Sequence, residues 1–169
     1  MSPKVNEAMA THQHKFEFDI YDDDHELPEA DRFLLHKARE HTNNAYAPYS
    51  HFRVAAVART IGGHIVKGTN QENASYPVGI CAERVLLSTL SSLYPDDPIE
   101  TIAISYHNVE GDSDNPASPC GLCRQSLVEY EYRLHHPIRL VLAGQEGKVL
   151  VLKKAKDLLP FTFTPDDLK

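Results

Sequence analysis

The three cysteines restrict the fold of this 169-residue chain more than any other feature. They occur in two short segments that are distant in the sequence, Cys81-Ala82-Glu83-Arg84 and Pro119-Cys120-Gly121-Leu122-Cys123. Three thiolates can hold a zinc ion and leave its fourth tetrahedral position open, which distinguishes catalytic zinc sites from closed structural ones. A fold that uses this pattern must bring both segments to one point.

A carboxylate lies close to the first thiol. Glu83 follows Cys81 by two residues and is close enough in sequence to move a proton of a water molecule at the open position. Residues two apart on an ideal helix point about 200° from each other, so the two converge only at the first turn of a helix. Arg84 is placed to donate to a ligating sulfur and offset the charge of three thiolates. Arg124 is a second candidate for that role.

Other interpretations of the cysteines remain open. A closed structural zinc site would need a fourth ligand, and none of the ten histidines has a convincing spacing to either segment. The cysteines could also belong to a site without metal. Glu83 could be an ordinary carboxylate at a helix start, and Arg84 a surface charge.

Composition limits the class of chain and of partner. With 169 residues, 41% of them hydrophobic, the sequence is sized for one globular domain with its own core. It has no apolar run of the eighteen or so residues that span a membrane, and its polar N-terminus predicts no signal peptide and a cytoplasmic location. The net charge of −7 disfavours nucleic acid as a partner. We expect a small, neutral substrate.

The hydrophobic pattern predicts strands that alternate with helices. An alternating stretch at 16–21 predicts a short strand, and two β-branched segments joined by Gly62-Gly63 predict a hairpin. The first helix is predicted to bury Phe33, Leu34, Ala38 and His41. That first helix is predicted at 28–45. The elements after it are predicted as strands 52–58 and 64–69, helix 81–93, strand 101–106, helix 120–132, and strands 138–143 and 149–152. This order indicates a layered α/β domain with helices on both faces of the sheet.

At these residues the chain resembles the cytidine deaminases. Zinc nucleobase deaminases combine Cys or His ligands, a non-ligating Glu and a Pro-Cys-x-x-Cys segment, as this chain does. Residues 46–52, Tyr-Ala-Pro-Tyr-Ser-His-Phe, resemble the family's entry to the nucleoside pocket, and residues 70–77, Asn-Gln-Glu-Asn-Ala-Ser-Tyr-Pro, its sugar-recognition segment. The tail at 158–168 is similar to the family's C-terminus. Together these segments span about residues 30 to 168.

The resemblance implies a fold and an assembly. The fold class is α/β, as a three-layer α/β/α sandwich around a mixed five-stranded sheet. The implied branch of the family is the small homotetrameric one with three cysteines and one Zn²⁺ per chain. Residues 29–169 would form the catalytic domain, and residues 1–28 an N-terminal extension.

Residue roles follow from the resemblance by position. Cys81, Cys120 and Cys123 would bind zinc, while Glu83 would shuttle protons. The backbone at Ala82 would meet the edge of the pyrimidine.

The resemblance also assigns the substrate contacts. Phe52 would pack against the base, and Asn70 and Glu72 would hydrogen-bond the ribose hydroxyls, for which an amide and a carboxylate supply donor and acceptor. Tyr76 and Phe163 would reach the active site of a neighbouring subunit. The alternatives are a core role for Phe52, turn roles for Asn70 and Glu72, and packing of Phe163 on its own subunit.

The implied activity is zinc-dependent hydrolytic deamination of cytidine and deoxycytidine to uridine and deoxyuridine, with release of ammonia, in pyrimidine salvage. One alternative is a deaminase of another small aminopyrimidine such as blasticidin S, which the Asn70-x-Glu72 pattern argues against. The acidic charge argues against a nucleic-acid editing deaminase, and the intact Glu83 against a non-catalytic zinc module.

Overall fold

The computed structural model describes residues 10–169. Its strands are β1 (Phe18–Tyr21), β2 (Phe52–Thr60), β3 (Ile65–Thr69), β4 (Ile99–Asn108), β5 (Arg139–Ala143) and β6 (Val149–Leu152). Its α-helices are α1 (Glu29–His41), α2 (Ala82–Leu93) and α3 (Gly121–Leu134). None of the helices in this described part is both long and apolar enough to cross a membrane.

The strands form a single mixed sheet in the order β1-β6-β5-β4-β2-β3. Strands β4 and β5 are parallel, and the other neighbouring pairs are antiparallel. The sheet therefore has six strands where the resemblance implies five. The additional strand is β1, the alternating stretch near the N-terminus, which pairs with β6 from Phe18↔Leu152 to Tyr21↔Val149.

Helices cover both faces of the sheet, so the predicted α/β/α layering is confirmed. Helix α1 packs on one face, where its leucines meet Val57, Ala103 and Val141. Helices α2 and α3 lie on the opposite face, which contributes Ile102 and Leu140 among others. Both helices that begin at a cysteine segment thus lie in the same layer.

The buried stripe of α1 differs from the prediction. Phe33 is 50% exposed, whereas Leu35 is fully buried. The stripe is Asp31, Leu34, Leu35 and Ala38, the i, i+3, i+4, i+7 spacing of an amphipathic helix. Asp31 belongs to it because its carboxylate accepts hydrogen bonds from the Arg139 guanidinium at 2.9 and 3.0 Å.

A glycine on β3 determines how closely α2 approaches the sheet. A Cβ on Gly68 would lie 2.4 Å from the backbone nitrogen of Leu86 and 2.5 Å from the carbonyl oxygen of Ala82. Both are backbone atoms near the start of α2, and backbone cannot move aside as a flexible side chain can. Only glycine allows β3 to hold the start of α2 at its observed position.

Candidate active site

The N-termini of α2 and α3 bring the three thiols together. Cys81 is the N-cap of α2, with φ −73° and ψ 153°, and Cys120 is the N-cap of α3, with φ −68° and ψ 169°. Cys123 lies in the first turn of α3. The helices therefore begin one residue later than predicted. Their unpaired N–H groups and partial positive charge favour thiolates at this position.

The spacing of the sulfur atoms suits a tetrahedral metal ion. The Sγ atoms of Cys81 and Cys120 are 3.7 Å apart, and those of Cys120 and Cys123 are 3.5 Å apart. All three lie within 4.8 Å of one another. Tetrahedral zinc with Zn–S bonds of about 2.3 Å holds its sulfurs about 3.8 Å apart. The soft donor set and its geometry therefore fit a zinc ion.

The thiols share protons unequally. A hydrogen bond from Cys123, together with one from Cys120, outweighs burial and lowers the pKa of Cys81 to about 6. The pKa of Cys123 is raised, and the main causes are its hydrogen bond to Cys81, its burial and the nearby Glu83 carboxylate. Metal ligation requires deprotonated thiols. Cys81 therefore enters this state more readily than Cys123.

Glu83 lies in the first turn of α2 and reaches the thiol cluster. It is only 5% exposed. Burial raises the pKa of its carboxyl group, while hydrogen bonds from its own backbone N–H and from the Cys123 thiol act in the opposite direction. The angular conflict with Cys81 does not arise, because the extended N-cap backbone directs the Cys81 side chain independently of helical spacing. A buried carboxyl with a raised pKa suits general acid–base chemistry.

The two arginine candidates differ in their surroundings. The charge of Arg84 adds a smaller contribution to the lowered pKa of Cys81, after the hydrogen bonds from Cys123 and Cys120. The Arg124 guanidinium instead donates to the carbonyl oxygens of Pro119 and Leu158, at 2.8 and 3.0 Å. Arg124 thus ties the start of α3 to the C-terminal segment.

Phe52, at the start of β2, has an aromatic partner that the sequence analysis missed. Its ring stacks on Tyr106 of β4, with centroids 4.6 Å apart and planes 15° apart. Phe52 is half-buried, whereas Tyr106 is only 7% exposed. The pairing of β2 with β4 produces this contact, and nothing near Tyr106 in the sequence signals it.

Asn70 connects the end of β3 to β2. Its Oδ1 accepts a hydrogen bond from the Val54 N–H at 2.7 Å, and its Nδ2 donates to the Phe52 carbonyl at 2.9 Å. An amide group has two hydrogens and two lone pairs on its oxygen. Asn70 therefore keeps one donor and one acceptor position for a ligand while it holds the backbone on either side of Arg53.

Glu72 lines a cavity of about 400 Å³. Its carboxylate accepts hydrogen bonds from the backbone N–H groups of Tyr49 and Ser50 and from the Ser50 hydroxyl. Partial burial opposes ionisation, but these hydrogen bonds outweigh it and lower the pKa of Glu72. The cavity is lined by Tyr49, Ser50, Glu72, Asn73, Tyr76 and Gly79.

Tyr76 and Phe163 are largely exposed in the single chain. Tyr76 is 77% exposed and stands edge-on to Tyr49, with ring centroids 6.0 Å apart. Phe163 is 58% exposed, and its carbonyl accepts a hydrogen bond from Gln125. Tyr76 therefore joins Glu72 in the cavity, whereas Phe163 lies on the C-terminal segment beside α3.

A larger cavity of about 780 Å³ lies at the opposite end of α3 from the thiols. Its wall includes His135 and His136 at the C-terminus of the helix, together with Lys154 and Lys156. The buried Glu131 carboxylate in this wall accepts hydrogen bonds from the backbone N–H groups of Ile138, Ala155 and Lys156. These contacts give the Glu131 carboxylate a structural role, since it joins the end of α3 to the segments that precede β5 and follow β6.

The α/β/α fold, the three convergent thiols and the buried carboxyl beside them define a zinc enzyme. The family model for the cytidine and deoxycytidylate deaminase zinc-binding region matches residues 28–135, which include all three thiols. The chain belongs to this family. Zinc is therefore its cofactor, and the single three-cysteine cluster corresponds to one ion per chain.

Individual relatives agree with the family match. The chain is 32% identical over 137 residues to a cytidine deaminase of Halalkalibacterium halodurans, covering 81% of this chain and 96% of that one. It is 33% identical over 146 residues to one of Mycobacterium tuberculosis, covering 84% and 96%. A crystal structure of cytidine deaminase from Burkholderia pseudomallei superposes with a TM-score of 0.68 at 34% identity, covering 81% of this chain and 100% of that one.

Proposed function

We propose that this chain is a cytidine deaminase, which hydrolyses cytidine and deoxycytidine to uridine and deoxyuridine and releases ammonia. The observation that carries the proposal is the convergence of three thiols with the buried Glu83 carboxyl. Relatives named cytidine deaminase, at 32 to 33% identity, supply the substrate class. An ultraviolet assay of the purified protein with both nucleosides tests it.

In this proposal four residues of the chain form the metal site. Cys81, Cys120 and Cys123 hold the metal, and Arg84 offsets part of the thiolate charge. When bound, zinc supplies the acidification of water, whose pKa it lowers to about 7. The short sulfur–sulfur distances support this ligand set.

Glu83 carries the protons. It takes one proton from the attacking water, whose oxygen forms a bond to C4 of the cytosine ring, and passes that proton to N3. It then takes the second proton of the same oxygen, now a hydroxyl on C4, and delivers it to the exocyclic nitrogen. The C4=O double bond forms as the C4–N bond breaks, and ammonia leaves. Its burial beside the thiols supports this role, because a carboxyl whose pKa is raised is a stronger base for the proton of water and can still return that proton.

The remaining residues position the nucleoside. Phe52 packs against the base, and the N–H of Ala82, a free donor at the start of α2, meets the pyrimidine edge. Asn70 and Glu72 bind the ribose hydroxyls. The donor and acceptor positions that Asn70 keeps, and the ionised state of Glu72, support these roles.

We expect nucleosides to be deaminated far better than CMP or free cytosine. The carboxylate of Glu72 has a lowered pKa, so it is charged at neutral pH and would repel a phosphate near the sugar. Cytosine lacks the sugar that Asn70 and Glu72 would bind. Initial rates at equal concentrations of cytidine, deoxycytidine, cytosine, CMP and blasticidin S measure the preference.

The matched variant for this experiment is Glu72→Gln, which keeps the size of the side chain and removes its charge. This variant should deaminate cytidine and CMP at more similar rates than the unaltered protein does, mainly because its KM for cytidine is higher. Efficient turnover of CMP by the unaltered protein would contradict the nucleoside assignment. Preference for blasticidin S over cytidine would favour the alternative substrate.

We further propose a homotetramer in which Tyr76 and Phe163 act in a neighbouring subunit. Large apolar side chains that are exposed on the single chain support this assembly, because exposed apolar surface often marks a protein–protein interface. Phe161 is fully exposed, and Tyr76, Val78, Leu122 and Phe163 are each more than half exposed. Association of chains would cover this surface and complete the pocket.

Deleting the tail from Phe161 onward should impair activity and assembly while bound zinc stays near one per chain. The thiols lie on α2 and α3, so the deletion removes none of them. Co-refolding the truncated chain with full-length Glu83→Gln chains should restore part of the activity, since each supplies what the other lacks. Light scattering measures the assembly, metal analysis the bound zinc, and initial rates the activity.

The control for complementation is a Glu83→Gln chain that also lacks the tail, which should restore nothing. A fully active monomer in light scattering would rule out the shared pocket.

Two further assignments complete the proposal. Residues 29–169 form the catalytic domain and residues 1–28 an extension, which is supported by a family match that begins at residue 28. The enzyme works in the cytoplasm, where a reducing environment keeps its three free cysteines available as ligands.

A further inference from the structure

We propose that Tyr106 is a positioning residue that fixes the ring of Phe52, and that it sets nucleoside affinity without touching the substrate. This inference rests on the proposed function, in which Phe52 packs against the base. It concerns a residue that neither the thiol segments nor the sugar-recognition segment includes.

The strand register places the two rings on the same face of the sheet. Strands β2 and β4 pair antiparallel with Phe52 opposite Asn108 and Val54 opposite Tyr106. Phe52 and Tyr106 are therefore diagonal neighbours, which aromatic side chains can bridge. Their rings stack with centroids 4.6 Å apart and planes 15° apart. A stack this close to parallel covers one face of the Phe52 ring, so the base of the proposed substrate would pack against the other face.

The backbone of Phe52 is already held by the neighbouring segments. Its N–H donates to the Ser50 hydroxyl at 3.1 Å, and its carbonyl accepts a hydrogen bond from Asn70 at 2.9 Å. Ser50 is in turn hydrogen-bonded to Glu72. These contacts fix the backbone of Phe52 but not the side-chain torsion angles that orient its ring. The stacking partner therefore determines the orientation of the ring.

Tyr106 is suited to be that partner because it is the more buried of the two rings. It is 7% exposed and pairs with Val54 of β2, one residue beyond the end of the β4–β5 pairing at Ser105. Its carbonyl also accepts a hydrogen bond from Gln145 at 2.9 Å. The stacking contact uses the ring and not the hydroxyl. A phenylalanine at position 106 should therefore serve as well, and an aliphatic side chain should not.

The test compares Tyr106→Phe and Tyr106→Leu in cytidine deamination, with kcat, KM and the Kd of uridine measured below the melting temperature of each variant. Aromatic pairs contribute up to about 1.5 kcal/mol beyond their buried area, which corresponds to at most about tenfold in affinity. Tyr106→Leu should raise KM and Kd by about three- to tenfold and change kcat less than about twofold. Tyr106→Phe should stay close to the unaltered protein.

A double-mutant cycle with Phe52→Leu separates positioning from general packing. If Tyr106 acts through Phe52, then adding Tyr106→Leu to Phe52→Leu should raise KM no further. A residue that only fills the core would lower the melting temperature in both backgrounds and leave KM unchanged. If Tyr106→Leu does not fold, Tyr106→Met, whose flexible side chain adapts to the same space, replaces it.

The outcomes distinguish this inference from the proposed function. An unaltered protein without activity on cytidine would overturn both. A raised KM in Phe52→Leu with an unchanged KM in Tyr106→Leu would overturn the inference alone. The inference would also be overturned if Tyr106→Leu raised KM by the same factor in the unaltered protein and in Phe52→Leu.

Discussion

Removing any one thiol of the cluster should abolish zinc binding and activity together. A tetrahedral site that keeps its fourth position open has only three protein ligands, and Cys81, Cys120 and Cys123 are the only cysteines of the chain. Replacing one of them by Ala leaves two ligands, which cannot hold the ion against dilution. Metal analysis of the purified variants should give well under one zinc per chain, with deamination at background level.

The three replacements should differ in stability without metal. Cys123 is fully buried, so Cys123→Ala removes packed atoms and should lower the melting temperature of the metal-free protein. Cys120 is exposed, and Cys120→Ala should leave that temperature nearly unchanged. Added zinc should stabilise the unaltered protein by mass action and none of the variants. Full activity in a metal-free preparation would contradict the whole assignment.

The thiol cluster could be predicted from the sequence because its chemistry needs a rare set of residue types. Three cysteines with no fourth ligand leave few arrangements, and each cysteine stands where a helix begins. The position of Glu83 does not follow from the sequence in the same way, since helical spacing directs it away from Cys81. The structure removes the conflict because Cys81 is an N-cap with extended backbone. Sequence could predict the helix start but not the torsion angles of the residue before it.

Contacts between distant segments could not be predicted in the same way. A carboxylate such as Asp31 is normally expected on the surface of a helix. Its ion pair with Arg139, 108 residues away, explains why it belongs to the buried stripe of α1. The hydrophobic pattern predicts Phe33 in that stripe, but its side chain is half exposed. The stack of Tyr106 on Phe52 likewise depends on the register of β2 with β4.

Gly68 illustrates the same limit for a residue without a side chain. In the sequence it is an unremarkable position within a strand. In the structure it is the point where β3 contacts the backbone of the first turn of α2. This turn carries Glu83 and follows Cys81 directly. The geometry of the metal site thus depends on a sheet contact that the cysteine pattern does not contain.

Replacing Glu83 by Gln should separate proton transfer from metal binding. The change keeps the size of the side chain, and Glu83 is not one of the three thiol ligands, so zinc should remain at one per chain. The amide of Gln cannot take the proton of water and return it to the base, as a carboxylate can. General acid–base catalysis contributes at least about 10²-fold, and kcat should fall by that factor or more.

The matched control is Glu129→Gln, the same chemical change at an exposed position of α3, which should leave kcat and zinc content unchanged. The cysteine variants supply the opposite comparison, because they should lose zinc and activity together, whereas Glu83→Gln should lose activity alone. Near-normal turnover in Glu83→Gln would show that the buried carboxyl has no part in proton transfer. Loss of zinc in that variant would instead make Glu83 a support of the metal site, since its carboxyl lies against the Cys123 thiol.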